Sequence, residues 1–239
     1  MGSLAVSGNW TANSAISGFE GSLPFGSVKE GTLAHFLEIA PEASRSRGES
    51  LFMEGEVPKF VFVISSGRVK LSISSREGKT AILRIAGPGE ILGLSAVMSG
   101  TPYETSAEAL ELCSVKTIRV ADFMAFVQQH PQAAAEATSC LLHDYRGVLN
   151  NVCRLALPNT VAGRLAALLL EWLDARPVTT GDERRFIVAL THEEIAEMTN
   201  TSRETVSRIL HQFQQDELIS IKGASVTILQ RQALEELAM

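Results

Sequence analysis

The chain is 239 residues long, 45% hydrophobic and 20% charged, with a net charge of −6 and an isoelectric point near 5.5. That length and apolar content support one large or two ordinary domains with true cores. No apolar run reaches the ~18 residues that a membrane span requires, and no basic segment followed by an apolar core marks a secretory leader, so a cytoplasmic protein with no membrane partner is expected.

The acidic balance opposes nucleic acid. From Asn159 onward twelve acidic residues stand against eight basic ones, so DNA binding would rest on a local patch and fall steeply with salt. Cys113, Cys140 and Cys153 are far apart, and no CxxC or Cys/His cluster suggests zinc or an iron–sulfur centre. They read as isolated buried thiols of a reducing compartment.

Residues 1–29 are rich in Gly and Ser, with scattered Trp10, Phe19 and Phe25 and no clear period. They read as a flexible arm. Thr32 is placed to cap a short helix through Ala40, with Leu33, Phe36 and Leu37 on its apolar side. From Ser46 to about Val120 the period becomes two. Phe60–Ile64 is a short apolar run, Val69, Leu71 and Ile73 alternate with polar residues, and Ala81, Leu83 and Ile85 repeat the spacing. Turn signals separate the runs at Gly55-Glu56, Ser66-Gly67, Glu77-Gly78 and Gly87-Pro88-Gly89-Glu90. Short strands at this spacing predict an antiparallel barrel or jelly roll, and residues 30–130 are assigned to it with its flanking helices.

Asp122, Phe123, Phe126 and Val127 predict a short helix. His130-Pro131 opens a long one over 131–158, proline being favoured at the first helical position. Leu141, Tyr145, Val148, Val152 and Leu155 recur at alternating four- and three-residue steps, the seam of a coiled coil. Leu142, Leu149 and Ala156 broaden the stripe, as expected if the helix also packs on its own domain. A buried core helix in a monomer is the alternative. Gly147 costs about 1 kcal/mol relative to Ala within a helix and predicts close approach of another backbone.

Pro158-Asn159-Thr160 breaks this helix and caps the next, which places a domain boundary at 159. The following helix buries Val161, Leu165, Leu168, Leu169 and Trp172. Phe186–Leu190 predicts a strand. Thr191 and Glu194 have capping-box spacing, Thr199-Asn200 interrupts the helix they start, and Thr201 or Ser202 caps the next; Thr201 and Glu204 repeat the spacing. On that second helix Val206, Ile209, Leu210 and Phe213 form a buried stripe at i, i+3, i+4 and i+7. Arg203, Glu204, Ser207, Arg208 and His211 lie on the opposite side. Leu218–Ile221 and Val226–Leu229 flank Lys222-Gly223-Ala224 as a hairpin. Residues 159–239 therefore read as a winged helix-turn-helix, with Lys222 placed for a phosphate or for solvent.

The run Thr191–Leu210, with Ser202–Leu210 reading SRETVSRIL, resembles the helix-turn-helix of the Crp/Fnr family of bacterial transcription regulators. Ala162-Gly163-Arg164 resembles the start of that family's DNA-binding domain. The upstream strands, with turns at Gly67 and Gly89-Glu90, resemble its cyclic-nucleotide-binding β-roll, so the resemblance spans nearly the whole chain. It implies base or backbone contacts from Ser202, Arg203, Glu204, Thr205, Ser207 and Arg208. It also implies a parallel dimer through Leu141, Tyr145, Val148, Val152 and Leu155.

In ligand-binding members a Gly-Glu pair meets the ribose and an Arg-Ser pair meets the cyclic phosphate. The matching segment here is Ile91–Ala107. Gly93 matches the glycine and Ser106 the serine, but Leu94 stands at the Glu position and Thr105 at the Arg position. A desolvated phosphate needs a cation or charge-assisted donors, and Thr105 supplies neither. Cyclic AMP or GMP is therefore not expected in the pocket of Gly93, Leu94, Ser95, Thr105 and Ser106, which is either empty or suited to an uncharged effector. No cysteine precedes Cys113, so the N-terminal iron–sulfur cluster of some members is not expected either.

The reading is an α+β chain: an N-terminal antiparallel, jelly-roll-like β-roll, a long dimerisation helix and a C-terminal winged helix-turn-helix. The expected function is a homodimeric, sequence-specific DNA-binding regulator reading a palindrome with TGTGA- or TTGA-like half-sites. RNA polymerase is a further partner if it activates. The competing class is a haem-, gas- or small-molecule-sensing roll with weak DNA binding. His143 on the long helix is read as structural rather than as an axial ligand, and no cofactor is expected. No nucleophile elbow, P-loop, zincin motif or dinucleotide fingerprint supports an enzyme.

Overall fold

The computed structural model describes residues 40–174, 185–188 and 190–239. The expected arm, and all of the expected Thr32–Ala40 helix except its last residue, lie outside the described residues. Eight strands form the roll: β1 (Glu42–Arg45), β2 (Ser50–Phe52), β3 (Phe60–Ser66), β4 (Val69–Ser74), β5 (Thr80–Ala86), β6 (Ile91–Leu92), β7 (Ser106–Ala109) and β8 (Cys113–Arg119). They pair antiparallel in two four-stranded sheets, ordered β1-β8-β3-β6 and β2-β7-β4-β5. Phe62, Ile64, Val69, Leu92, Ala107 and Val115 are buried in one apolar cluster, where each large side chain contributes about 1.5–3 kcal/mol relative to exposure. A short helix, α1 (Leu94–Ser99), separates β6 from β7. Strands β1, β2, β6 and β7 are too short to carry a legible period, and the seven-residue β8 goes unmarked beside the three central runs.

The hairpin β4–β5 departs from strict alternation. Its register shifts between Leu71 and Ser72, so Leu71 pairs with Arg84 while Ser72 pairs with Ile82. One extra residue, Leu83, sits on β5, which is a β-bulge. The expected single face of Ala81, Leu83 and Ile85 is thereby broken. Leu83 and Arg84 line a cavity beside the long helix, whereas Ile82 and Ile85 pack into the core of the C-terminal domain.

After β8 come α2 (Val120–Gln129) and α3 (Pro131–Ala156), the latter with Pro131 in its first turn. The N-terminal half of α3 lies on the roll through Ala133, Ala137, Cys140 and Leu141. Burial, with Asp144 and Glu136 nearby, pushes the Cys140 thiol up to about 12, so it stays protonated and unreactive. Cys153, in contrast, is exposed. Further along, Leu142, Tyr145, Val148, Leu149 and Val152 are 54%, 60%, 39%, 41% and 53% exposed. Leu142 and Leu149 thus do not pack on the roll as expected; Leu141 does.

The C-terminal domain comprises α4 (Val161–Asp174), β9 (Arg185–Ile187), α5 (His192–Thr199), α6 (Arg203–Gln215), β10 (Ile219–Lys222), β11 (Ser225–Ile228) and α7 (Arg231–Leu237), with its sheet ordered β10-β11-β9. Thr160 starts α4 by accepting the Gly163 N–H at 3.0 Å. Leu165, Leu168, Leu169, Ile195, Val206, Leu210, Ile219 and Leu234 form the core. Arg154 on α3 is buried and bonds both Asn151 of the same helix and Glu171 of α4, the latter tying the long helix to this domain.

Helix α5 rests on β5 of the roll, where Ile82 and Ile85 are flanked by charges. Arg47 meets Glu194 at 2.9 Å. Glu197 has one carboxylate oxygen buried without a hydrogen-bond partner. Burial raises its pKa above the ordinary value, reinforced by Glu193 and Glu194 and opposed by Lys70. A carboxyl whose folded pKa is raised costs the native state stability as the pH rises through the acid range. Glu197→Gln should therefore raise the thermal midpoint at neutral pH, with the gain fading as the pH falls through the usual carboxylate range. A gain of equal size at every pH would assign it to packing instead.

Candidate nucleic-acid interface and roll cavity

The two helices that would face DNA are set by local capping. Thr191 accepts the Glu194 N–H at 3.2 Å, and the Glu194 carboxylate accepts the Thr191 N–H at 2.6 Å, the capping box that the sequence predicts. Such caps contribute about 1 kcal/mol. Asn200 ends α5 in the left-handed region at φ 50°, where its short polar side chain is tolerated. The cap of α6 differs from the repeated capping box: Ser202, not Thr201, is the N-cap, and its hydroxyl accepts the Thr205 N–H. With the cap one residue later, Glu204 falls in the first turn rather than at the reciprocal position.

The amphipathic division of α6 is as expected. Val206, Ile209, Leu210 and Phe213 are buried, while Arg203, Glu204, Arg208 and His211 are exposed and Ser207 is half-buried. Hydrogen bonds from its own backbone N–H and from Ser202, with Arg203 adjacent, hold the Glu204 carboxyl below the usual range. Glu204 is therefore an acceptor at neutral pH, never a donor. Ser202 and Thr205 hydroxyls lie 3.0 Å apart at the helix start. Lys222 is exposed at the hairpin turn. Sequence reasoning missed His192, whose Nδ1 lies 2.7 Å from the Ser207 hydroxyl; a first-turn histidine carries no periodic signal of its partner on another helix.

The roll holds a cavity of about 270 Å³ between β4, β5, α1 and α3, at the small end of ligand pockets. Gly93, Leu94, Ser95 and Thr105 line it, but Ser106 does not. The Ser106 hydroxyl instead accepts the Glu54 N–H at 3.0 Å, because β7 turns that side chain toward the loop after β2. Gly93 caps α1 at φ 79°, and a Cβ there would lie 2.7 Å from the Tyr103 ring, so only glycine fits. Tyr103 stacks on Phe52 with centroids 4.0 Å apart and donates to the Phe60 carbonyl at 2.6 Å.

A cation is present in this cavity, though not at the position of Thr105. It is Arg84, from the bulged strand. Its guanidinium bonds Glu90, and donates to Asp144 of α3 at 2.6 Å. Its side chain is 12% exposed. Glu90 also accepts the Gly87 N–H at 2.8 Å. Gly147 makes room for the arginine stem: a Cβ there would stand 3.3 Å from Arg84 Cδ. The close approach expected at Gly147 is therefore that of a side chain, not of a backbone. Strict alternation pointed Arg84 away from the cavity, and the bulge reverses it.

Among the described residues no helix is long and apolar enough to cross a membrane, and no three His, Cys, Asp or Glu side chains gather as a metal site. A cyclic nucleotide-binding domain matches residues 43–130 and a Crp-like helix-turn-helix domain matches residues 163–237. The chain is 29% identical over 205 residues to the CRP-like cAMP-activated global transcriptional regulator of Mycobacterium tuberculosis, covering 85% of this chain and 91% of that protein. It is 32% identical over 184 residues to the transcriptional activator protein anr of Pseudomonas aeruginosa, covering 77% and 74%. The structure of FixK2 from Bradyrhizobium japonicum superposes with a TM-score of 0.73 at 24% identity, over 84% of this chain and 98% of that one, and so shares the fold. Two domain matches in this order, and relatives that are transcription regulators rather than enzymes, establish that the chain belongs to the Crp/Fnr family of DNA-binding transcription regulators.

Proposed function

We propose that the protein acts as a homodimer that places two copies of α6 in successive major grooves of an approximately palindromic site. The observation that carries this reading is the row of exposed Arg203, Glu204 and Arg208 with half-buried Ser207, on a helix whose opposite face is buried. Arg203 and Arg208 suit guanine O6 and N7, and ionised Glu204 suits cytosine N4. Ser202 and Thr205 sit at the helix start, where phosphates are met. The combination favours G·C pairs in each half-site, with a TGTGA- or TTGA-like core. If the protein activates, RNA polymerase is its further partner.

The dimer seam we propose is Leu142, Tyr145, Leu149, Val152 and Ala156, a row at alternating three- and four-residue steps. Four of these are large apolar side chains left exposed, whereas Leu141 is packed on the roll and Leu155 is half-buried; Val148, from the expected seam, is 39% exposed and borders the roll cavity. Val152→Glu should convert a dimer to a monomer in sedimentation and lower operator affinity with it. An unchanged sedimentation coefficient would place the interface elsewhere.

We further propose that cyclic AMP does not control this protein as its name says it controls the mycobacterial relative. Arg84 is already shared by two carboxylates, Glu104 stands at the rim with Ser95, and Thr105 brings no charge. The residues present do not fit a cyclic phosphate. An uncharged effector is compatible with the apolar wall of Phe52, Leu71, Leu83, Leu92 and Tyr103. Selection of binding sites from a random library by the purified protein tests the reading directly. An enriched palindrome, unchanged by added cyclic nucleotide, is expected. No enrichment, or enrichment only with nucleotide, would refute it.

A further inference from the structure

His192 opens α5 and is exposed, yet its Nδ1 lies 2.7 Å from the Ser207 hydroxyl on α6. A helical serine often bonds the carbonyl four residues earlier; here the hydroxyl reaches across to the neighbouring helix instead. Ser207 stands between Arg203 and Arg208 on the face proposed to read DNA. Its hydroxyl has one proton to donate and lone pairs to accept with, so whichever role His192 occupies is withdrawn from the base pair.

We propose that His192 is a positioning residue that sets the polarity with which Ser207 meets its base. This rests on the DNA-reading role of α6 given above. With the ring neutral and its proton on Nε2, Nδ1 accepts the serine proton. The serine oxygen then offers lone pairs, which suit adenine N6 or cytosine N4. With the ring protonated, or neutral with its proton on Nδ1, Nδ1–H donates to the serine oxygen, and the hydroxyl proton turns toward an acceptor such as thymine O4 or guanine O6. The presence or absence of a proton on one imidazole nitrogen is thus converted into a base preference at one position. The charged groups around the pair are Glu193 and Glu194 on α5, the latter held by Arg47 of the roll, and Arg203, Glu204, Arg208 and His211 on α6. His211 is the other imidazole on this face, and it contacts Gln215.

The test is binding-site selection with the full-length protein at pH values on either side of the imidazole range, about 5.5 and 8. For the wild type, the base preferred at the pair facing Ser207 should change between the two pH values by about three- to tenfold, the worth of one hydrogen bond. His192→Asn keeps a polar atom near the Nδ1 position but does not titrate, so a preference should persist there without the pH response. Ser207→Ala should abolish both, and His192→Ala combined with Ser207→Ala should match Ser207→Ala alone. His211→Gln should leave the response intact. In the protein without DNA, Ser207→Ala should shift the ring-nitrogen resonances of His192. A uniform loss of affinity for every sequence in His192→Ala, with no change of preference, would overturn the proposal and make His192 a phosphate ligand. Enrichment that depends on Arg208 but ignores His192 sinks this inference alone, and absence of any enriched site sinks the functional reading with it.

Discussion

Arg208→Ala is expected to weaken binding to the preferred operator by about 1–3 kcal/mol, roughly five- to a hundredfold and more, and to relax selection at a single base pair in each half-site. The reasoning is geometric. Arg208 lies between Val206 and Ile209, both buried, so the backbone beneath it is anchored in the domain core and its own side chain is left in solvent. A bidentate guanidinium presented this way discriminates guanine through two acceptors at once, and alanine leaves both unmet. Arg203→Ala should behave similarly at a different pair. Lys222→Ala on the wing is the control: an ammonium that meets only phosphate serves every sequence equally, so its removal should weaken all of them alike and reduce the salt slope by about one. The acidic domain makes that salt slope a sharp measurement, because binding depends on few cations. A gel-shift titration in which Arg208→Ala loses no affinity, or loses it equally for all operators, would remove Arg208 from the base-reading set.

Arg84→Met should cost about 3–5 kcal/mol of folding stability, the usual outcome when one partner of a largely buried ion pair is removed and the others keep their charge. Glu90 and Asp144 would then both lose the guanidinium that they share. Asp144→Asn is expected to cost less, since Asp144 is 31% exposed and Glu90 remains on the guanidinium. The double variant should cost less than the sum of the two, because the second change removes a charge that the first left unpaired. Hydrogen exchange should locate the effect: amides of α3 around Asp144 should open first, since Arg84 joins the roll to that helix. A melting curve for Arg84→Met that overlays the wild type would mean the carboxylates are fully solvated.

Both predictions concern arginines, and they differ in how far the sequence could identify them. Arg208 was legible because helical spacing alone puts it opposite Val206, Leu210 and Phe213. The two-helix motif and the long helix from Pro131 were legible for the same reason: the period of a regular element places a residue on one face without reference to other segments. The runs around Val61, Leu71 and Leu83 were legible as strands but not in their facing, since Ser72 is buried while Ile73 is exposed and the bulge at Leu83 interrupts β5. Caps depend on residues three apart, so Thr191–Glu194 was equally accessible.

What depends on contact between distant segments was not. The α3 stripe contains two overlapping heptads, and only the roll packed against Leu141 shows that Leu142, Tyr145, Val148, Leu149 and Val152 are left uncovered. The bulge at Leu83 leaves no mark in composition, yet it turns Arg84 inward and sends Ile82 and Ile85 to the other domain. Ser106 was placed in the cavity by its motif position, and the strand it lies on points it elsewhere. The amino-acid order by itself therefore determined the helix-turn-helix with its buried stripe, the long helix and the family, because these follow from local periodicity and capping. The cation of the cavity, the uncovered side of the long helix and the pairing of His192 with Ser207 were decided only by tertiary structure, since a one-residue register shift or a neighbouring helix selects which chemically suitable group is brought within bonding distance.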